Sequence, residues 1–266
     1  MIQDDLIFYT VRAAMNAGQK ILEIYNTDFE VEYKSDESPL TLADQASHHL
    51  IVNALQKYNI PILSEEGKKI KFEERKHWDK IWIVDPLDGT KEFVKRNGEF
   101  TVNIALVENG KPVFGVIFAP VLNKLYWGAL NKGSFAIDIE NNTSFSSLAE
   151  LQKQAIKLPQ PKEDKDYQVV ASRSHLSPET EEFIHKLKKE HSKISTVSIG
   201  SSLKICLVAE GKADIYPRFA PTWEWDTAAG HAIVKAMGGK ITHTDKPDEL
   251  TYNKEDLLNP WFVVSR

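Results

Sequence analysis

The chain has 266 residues, enough for one large domain or two lobes with a sizeable core. Its net charge of −5, from 33 basic and 38 acidic residues, argues against a nucleic-acid polymer as partner, because polymer binding shows as a basic face. No apolar run reaches the roughly 18 residues that span a bilayer, and the N-terminus carries Asp4 and Asp5 where a signal peptide is basic and apolar, so neither segment is expected. Cys206 is the sole cysteine, which excludes a disulfide within the chain and fits a reducing cytoplasm.

Ile7, Val11, Ala14, Gly18, Ile21 and Tyr25 recur at spacings of four and three, one apolar stripe on a long first helix. Thr41-Leu42-Ala43-Asp44 has the form of a capping box and opens a second helix through Leu50, Ile51, Ala54 and Leu55. The mixed-sign cluster from Lys68 to Lys80 reads as a solvated loop or short helix. Ile81-Trp82-Ile83-Val84 is a short apolar strand stopped by Asp85-Pro86. Strands at 101–107, 113–119 and 125–129, separated by Asn109-Gly110 and by 120–123, suggest an antiparallel meander. The polar stretch 131–165 reads as a lobe junction. Beyond it come a strand at 168–171, helices at 178–190 and 201–210, a strand at 213–219, a helix at 226–237 ended by Gly238-Gly239, and a last strand at 262–265. The whole reads as an α/β fold of layered α+β type. An N-terminal α+β lobe with an antiparallel sheet spans residues 1–140, and a C-terminal α/β lobe spans 141–266.

Carboxylates end three of these elements. In Trp82-Ile83-Val84-Asp85-Pro86-Leu87-Asp88-Gly89-Thr90 an apolar strand delivers Asp85, and Pro86 and Gly89 are read as a tight turn that returns Asp88 beside it. Ile62-Leu63-Ser64 ends in Glu65-Glu66, and Asp226 opens a helix rich in small residues. Each acid alone has a plain explanation. Asp-Pro and Asp-Gly are turn dipeptides, Glu65 and Glu66 suit a solvated loop, and Asp226 suits an N-cap. If they converge, electrostatics requires a cation, since two carboxylates about 4 Å apart repel by roughly 4 kcal/mol at an effective dielectric near 20. All-oxygen ligation favours a hard ion such as magnesium, and there is no His-Glu-x-x-His pattern for zinc.

Asp85-Pro86-Leu87-Asp88-Gly89-Thr90, with Phe93 three positions on, resembles the central signature of the inositol monophosphatase superfamily. Trp225-Asp226-Thr227-Ala228-Ala229-Gly230 resembles its second signature, Glu65-Glu66 its upstream acidic pair, and Lys34 with Pro39 to Asp44 the loop and helix start before that. Within the superfamily, Ser172-Arg173-Ser174-His175, Gly200-Ser201-Ser202-Leu203-Lys204, Asp214-Ile215-Tyr216-Pro217-Arg218 and Leu258-Asn259-Pro260 are similar to the CysQ-type bisphosphate nucleotidases. The resemblance implies alternating helix and sheet layers. It also implies magnesium-dependent, lithium-sensitive removal of the 3′-phosphate from adenosine 3′,5′-bisphosphate, or from its sulfated precursor. The partner is then a small phosphonucleotide, in the cytoplasm or peripherally on the cytoplasmic face of the inner membrane.

By the same resemblance, Glu65, Asp85, the Leu87 carbonyl, Asp88 and Asp226 ligate magnesium. Thr90, oriented by Asp44, positions the attacking water, and Glu66 assists as a nearby base. The Gly89 and Thr90 amides donate to phosphate, and His175, Ser201, Lys204 and Arg218 hold the nucleotide. The plain alternatives are the N3 place of a capping box for Asp44, a hydroxyl turn for Ser201, a surface place for Lys204 and a salt bridge for Arg218. The competing functions are an inositol or sugar phosphatase of the same superfamily and a non-catalytic, metal-dependent phosphonucleotide-binding regulator.

Overall fold

The computed structural model of the chain describes residues 2–27, 31–33, 39–139, 144–162, 166–171 and 176–266, with backbone alone at 31–33 and 39–41. In chain order the elements are α1 (Asp4–Tyr25), β1 (Val31–Tyr33), β2 (Pro39–Thr41), α2 (Leu42–Leu55), β3 (Ile62–Ser64), α3 (Phe72–Arg75), β4 (Lys80–Asp88) and α4 (Thr90–Val94). There follow β5 (Thr101–Glu108), β6 (Lys111–Ala119), β7 (Lys124–Ala129), β8 (Gly133–Asp138), α5 (Leu148–Gln154), β9 (Ile156–Leu158) and β10 (Tyr167–Val170). The last are α6 (Pro178–Leu187), β11 (Ile194–Val197), α7 (Leu203–Glu210), β12 (Ile215–Arg218), α8 (Glu224–Ala236), β13 (Lys240–His243) and β14 (Phe262–Ser265).

A seven-stranded sheet runs in the order β3-β4-β5-β6-β7-β8-β9, antiparallel except for β3 beside β4. Its central strands β4 to β7 are buried on both faces, so they read as unbroken apolar runs and not as alternations. Trp82 and Val84 face a core shared with α1 and α2, while Ile81 and Ile83 face a second core shared with α7 and α8. That second core also takes in Ile241, Phe262 and Val264 of a five-stranded sheet, ordered β11-β10-β12-β14-β13. A third, smaller cluster packs α6 onto the outer face through Val169, Ile184 and Ile215. Helix and sheet layers therefore alternate, α-β-α-β-α, as the family resemblance implied.

The stripe on α1 buries Ile7, Val11, Ala14, Gly18 and Ile21 as expected. α8 lies unusually close to the sheet. Gly115 and Gly128 are cross-strand partners on β6 and β7, and a Cβ on them would stand 2.2 Å from the Ala229 carbonyl oxygen and 2.8 Å from the Ile233 Cα. Only glycine at both places lets the helix that carries Asp226 rest on strand backbone.

Four expectations need correction. The polar stretch 131–165 contains β8, α5 and β9, and β8 and β9 continue the first sheet, so the boundary placed at residue 140 falls within one sheet's run of strands. The strand starting at Lys80 does not stop at Asp85. It continues to Asp88 with a bulge, since Asp85 pairs with Asn103 and Asp88 with Thr101. Proline is tolerated there because the bulge interrupts the ladder anyway. The helix expected from Ser201 begins at Leu203, because Ser201 adopts a left-handed conformation with φ 43°. Arg75, within the charge cluster read as solvated, is 2% exposed and donates to Asn253 Oδ1 at 3.0 Å and the Glu255 carbonyl at 2.9 Å.

Candidate active site

The β4 bulge gathers the acids. Ser47 of α2 donates to the Pro86 carbonyl at 2.7 Å and so holds the bulge against the second helix. The Glu65 amide donates to the Val84 carbonyl at 3.2 Å, which brings the end of β3 alongside Asp85. Gly89 takes φ 95°, a conformation open to glycine, and turns the chain from β4 into α4 at Thr90. From the other side, α8 brings Asp226 down at its third position. Its carboxylate accepts the Trp223 N–H at 2.7 Å, so it serves as the acid that reaches back to the helix start and not as the N-cap itself.

Asp85, Asp88 and Asp226 each offer a carboxylate oxygen, and these atoms lie within 4.8 Å of one another. One oxygen of each carboxylate also accepts a backbone N–H: Leu87 on Asp85 at 3.1 Å, Ser202 on Asp88 at 2.5 Å and Trp223 on Asp226. The side chains are therefore oriented before any ligand arrives. Burial, and then the carboxylates of Glu65, Asp88, Asp226 and Asp44, push the Asp85 carboxyl well above the usual range. Burial, then Asp88, pushes Asp226 up to about 8. Burial also raises Asp88, against the opposing pull of the Lys204 ammonium and the Ser202 amide. Such a site holds protons when bare and releases them to a cation. Its donors are all oxygens, so a hard divalent ion fits it.

Asp44 is buried near enough to Asp85 to raise its pKa, as expected of a residue at the site. Thr41, its partner in the expected capping box, lies outside the described side chains. Thr90 Oγ donates weakly to the Leu87 carbonyl at 3.4 Å, which puts the expected hydroxyl and the expected carbonyl ligand side by side. Glu65 acts electrostatically on both Asp85 and Asp226. Glu66 lies outside the three-aspartate group and next to His48, whose Nδ1 is 2.9 Å from Ser64 Oγ. Lys34 and His175, with the rest of the 172–175 loop, fall outside the described residues.

Lys204 is half-buried, and its Nζ donates to the Ser201 carbonyl at 3.1 Å. Burial lowers its pKa against the pull of Asp88. Lys204 and Arg218, with Tyr216, line two adjoining cavities. One, of about 100 Å³, also contacts Asp88, Ser201 and Asp226. The other, of about 390 Å³, extends over the ends of β10 and β12 to Leu176, Thr180 and Phe219. Ser202, Asn103 and Thr101 also reach the site, and sequence reasoning did not single them out. Ser202 sits undistinguished within the Gly200 to Lys204 motif, Asn103 and Thr101 carry no motif, and only the fold brings them to Asp88. Glu224, beside Asp226 in sequence, is occupied structurally by the Asn253 and Lys254 amides and the Lys254 ammonium.

The sequence pattern of the inositol monophosphatase family matches residues 2–261. The chain belongs to the inositol monophosphatase family. Within this family it is 47% identical over 257 residues to the 3′(2′),5′-bisphosphate nucleotidase CysQ of Salmonella typhimurium, covering 95% of this chain and 96% of that one. The CysQ enzyme of Escherichia coli K12 is 46% identical with the same coverage. Among solved structures, CysQ from Bacteroides thetaiotaomicron, a bacterial member of the family, superposes with a TM-score of 0.89 at 50% identity, over 98% of this chain and 97% of that one. No helix among the described residues is long and apolar enough to cross a membrane.

Proposed function

We propose that this chain is a 3′(2′),5′-bisphosphate nucleotidase that removes the 3′-phosphate of adenosine 3′,5′-bisphosphate, with magnesium as its ion, in a reducing cytoplasm. The kinship to the CysQ enzymes over nearly the whole chain supports the activity. The observation that carries the choice of a nucleotide over a smaller phosphate ester is the pair Lys204 and Arg218. They stand between the cavity at the aspartates and a second one roomy enough for a nucleoside.

Asp85, Asp88 and Asp226, with Glu65 and the Leu87 carbonyl, would hold the magnesium. When bound, it supplies the positive charge that offsets charge developing on the phosphoryl group and the leaving oxygen. Thr90, oriented by Asp44, would position the attacking water through its hydroxyl, with Glu66 as a nearby base. The Gly89 and Thr90 amides, at the first turn of α4, donate to phosphate oxygens. Lys204, Arg218 and the Ser201 turn hold the second phosphate by charge-assisted hydrogen bonds. Partial burial of Lys204 strengthens this contact, since its ammonium has little water to compete.

The test is phosphate release by purified protein from a panel of nucleotide, inositol and sugar phosphates with magnesium. A clear preference in kcat/KM for adenosine 3′,5′-bisphosphate is expected. Preference for inositol 1-phosphate would move the protein to the sugar-phosphate branch, and no turnover of any ester would favour a binding regulator.

A further inference from the structure

The three aspartates differ in what holds them. Asp85 and Asp226 are tied by amides of their own segments, Leu87 and Trp223. Asp88 is held from outside. Its Oδ2 accepts the N–H of Ser202, at the start of α7, and faces Asn103 Nδ2 on β5 at 3.5 Å. Asn103 and Thr101 are the cross-strand partners of Asp85 and Asp88 on either side of the bulge. Thr101, Asn103 and Ser202 are all buried.

Asp88 sets the direction of the Asn103 amide, because the two hydroxyls can donate or accept while an ionised carboxylate only accepts. The Thr101 and Ser202 hydroxyls lie 3.1 and 2.9 Å from the Asn103 Oδ1 and 2.7 Å from each other, so with one proton apiece one of them donates to Oδ1 and the other to Oδ1 or to its neighbour. The NH₂ therefore faces Asp88. The reversed amide would set an oxygen against a carboxylate, which is repulsive. The same Ser202 belongs to the turn whose Ser201 carbonyl holds Lys204. That turn is tied to the first half of the chain by the Gly200 N–H, which donates to Glu99 at 2.7 Å.

We propose that Asn103 is a positioning residue of the metal centre. Its amide, braced by the Thr101 and Ser202 hydroxyls, fixes the Asp88 carboxylate at one angle, so that the remaining oxygen meets the ion without a search over rotamers. The proposal rests on the metal-dependent phosphatase reading. Partners that orient a metal-binding carboxylate change metal affinity by about 10- to 100-fold when removed.

The test is calorimetric magnesium titration of metal-stripped protein, with no substrate present, for the wild type and Asn103→Leu. Leucine has a similar size and no hydrogen-bonding atoms. Magnesium affinity is expected to fall about ten-fold, and excess magnesium should restore much of kcat. Affinity within about two-fold of the wild type would overturn the proposal, whether or not the metal-free Tm falls, because a merely structural asparagine would move Tm alone. Should Asn103→Leu not fold, Thr101→Val with Ser202→Ala keeps every donor to Asp88 but removes the brace. A loss of magnesium affinity in that pair supports the proposal, and wild-type affinity overturns it. A wild type that binds no magnesium and turns over no ester would instead sink the phosphatase reading itself.

Discussion

Asp85→Asn separates the metal account from ordinary packing, because it should stabilise the metal-free protein while abolishing turnover. Asparagine keeps the volume of Asp85 and an oxygen to accept the Leu87 N–H, so the bulge survives. The cluster oxygens lie within 4.8 Å of one another. At an effective dielectric near 20, each ionised pair at that distance repels by about 3.5 kcal/mol. Three such pairs reach about 10 kcal/mol, comparable with the whole stability of a domain, about 5–15 kcal/mol. The bare cluster therefore retains protons, and the sign of its pH dependence follows. The Asp226 carboxyl is pushed up to about 8, against about 3.9 in an unfolded chain. Between those values the native state holds a proton that the unfolded state has lost, so stability falls as pH rises through the window. Removing Asp85 eliminates two of the three pair terms. Since protonation already relieves part of them, we expect a gain of about 2 kcal/mol near pH 8, or about 4–8 °C in Tm. The gain should shrink toward about pH 4, where the wild-type cluster is protonated as well. The assay is thermal unfolding in chelator and in excess magnesium at both pH values. Magnesium should raise the Tm of the wild type and leave the variant nearly unmoved. A metal-free variant less stable than the wild type near pH 8, or a wild-type Tm indifferent to magnesium, would refute the reasoning.

Lys204→Ala should lower kcat/KM on adenosine 3′,5′-bisphosphate by about 10- to 150-fold, the worth of a charge-assisted hydrogen bond, with a much smaller loss on inositol 1-phosphate. Equal losses on the two substrates, measured side by side, would mean that the second phosphate binds elsewhere. Thr90→Ala should reduce kcat by about 100-fold or more with little change in KM. Unchanged single-turnover rates in that variant would remove Thr90 from the chemistry. Arg75→Ala should cost about 3 kcal/mol, because the buried guanidinium ties α3 to the 253–255 segment. Urea unfolding reads this directly, and a loss within experimental error would show that these bonds only replace bonds to water.

Much of the site was legible because the chemistry is concentrated in short segments. Asp88 ends β4 and Asp226 lies in the first turn of α8, and the apolar strand before Asp85 made the convergence worth testing. The same strand misled about its own end, since Pro86 is a stop signal in an unbroken ladder but not in a bulge. β8 and β9 were hidden in polar sequence. β9 is a three-residue edge strand whose Ile156 and Lys157 are exposed, so it shows no buried pattern of its own. The start of α7 was misplaced because a left-handed serine is set by its surroundings, here Gly200 packed against Glu99, and not by serine's own preference. Asn103 and Ser202 were not legible for a different reason. Their meaning lies in the direction of a hydrogen bond to an aspartate from another strand or helix, and no local pattern encodes that.

The most direct test of the central claim is product analysis with adenosine 3′,5′-bisphosphate before chelation, after metal is stripped, and after magnesium is returned. We predict stoichiometric release of phosphate and adenosine 5′-monophosphate, lost on stripping and regained with magnesium. Turnover that persists in chelator, or adenosine 3′-monophosphate as the product, would contradict the account.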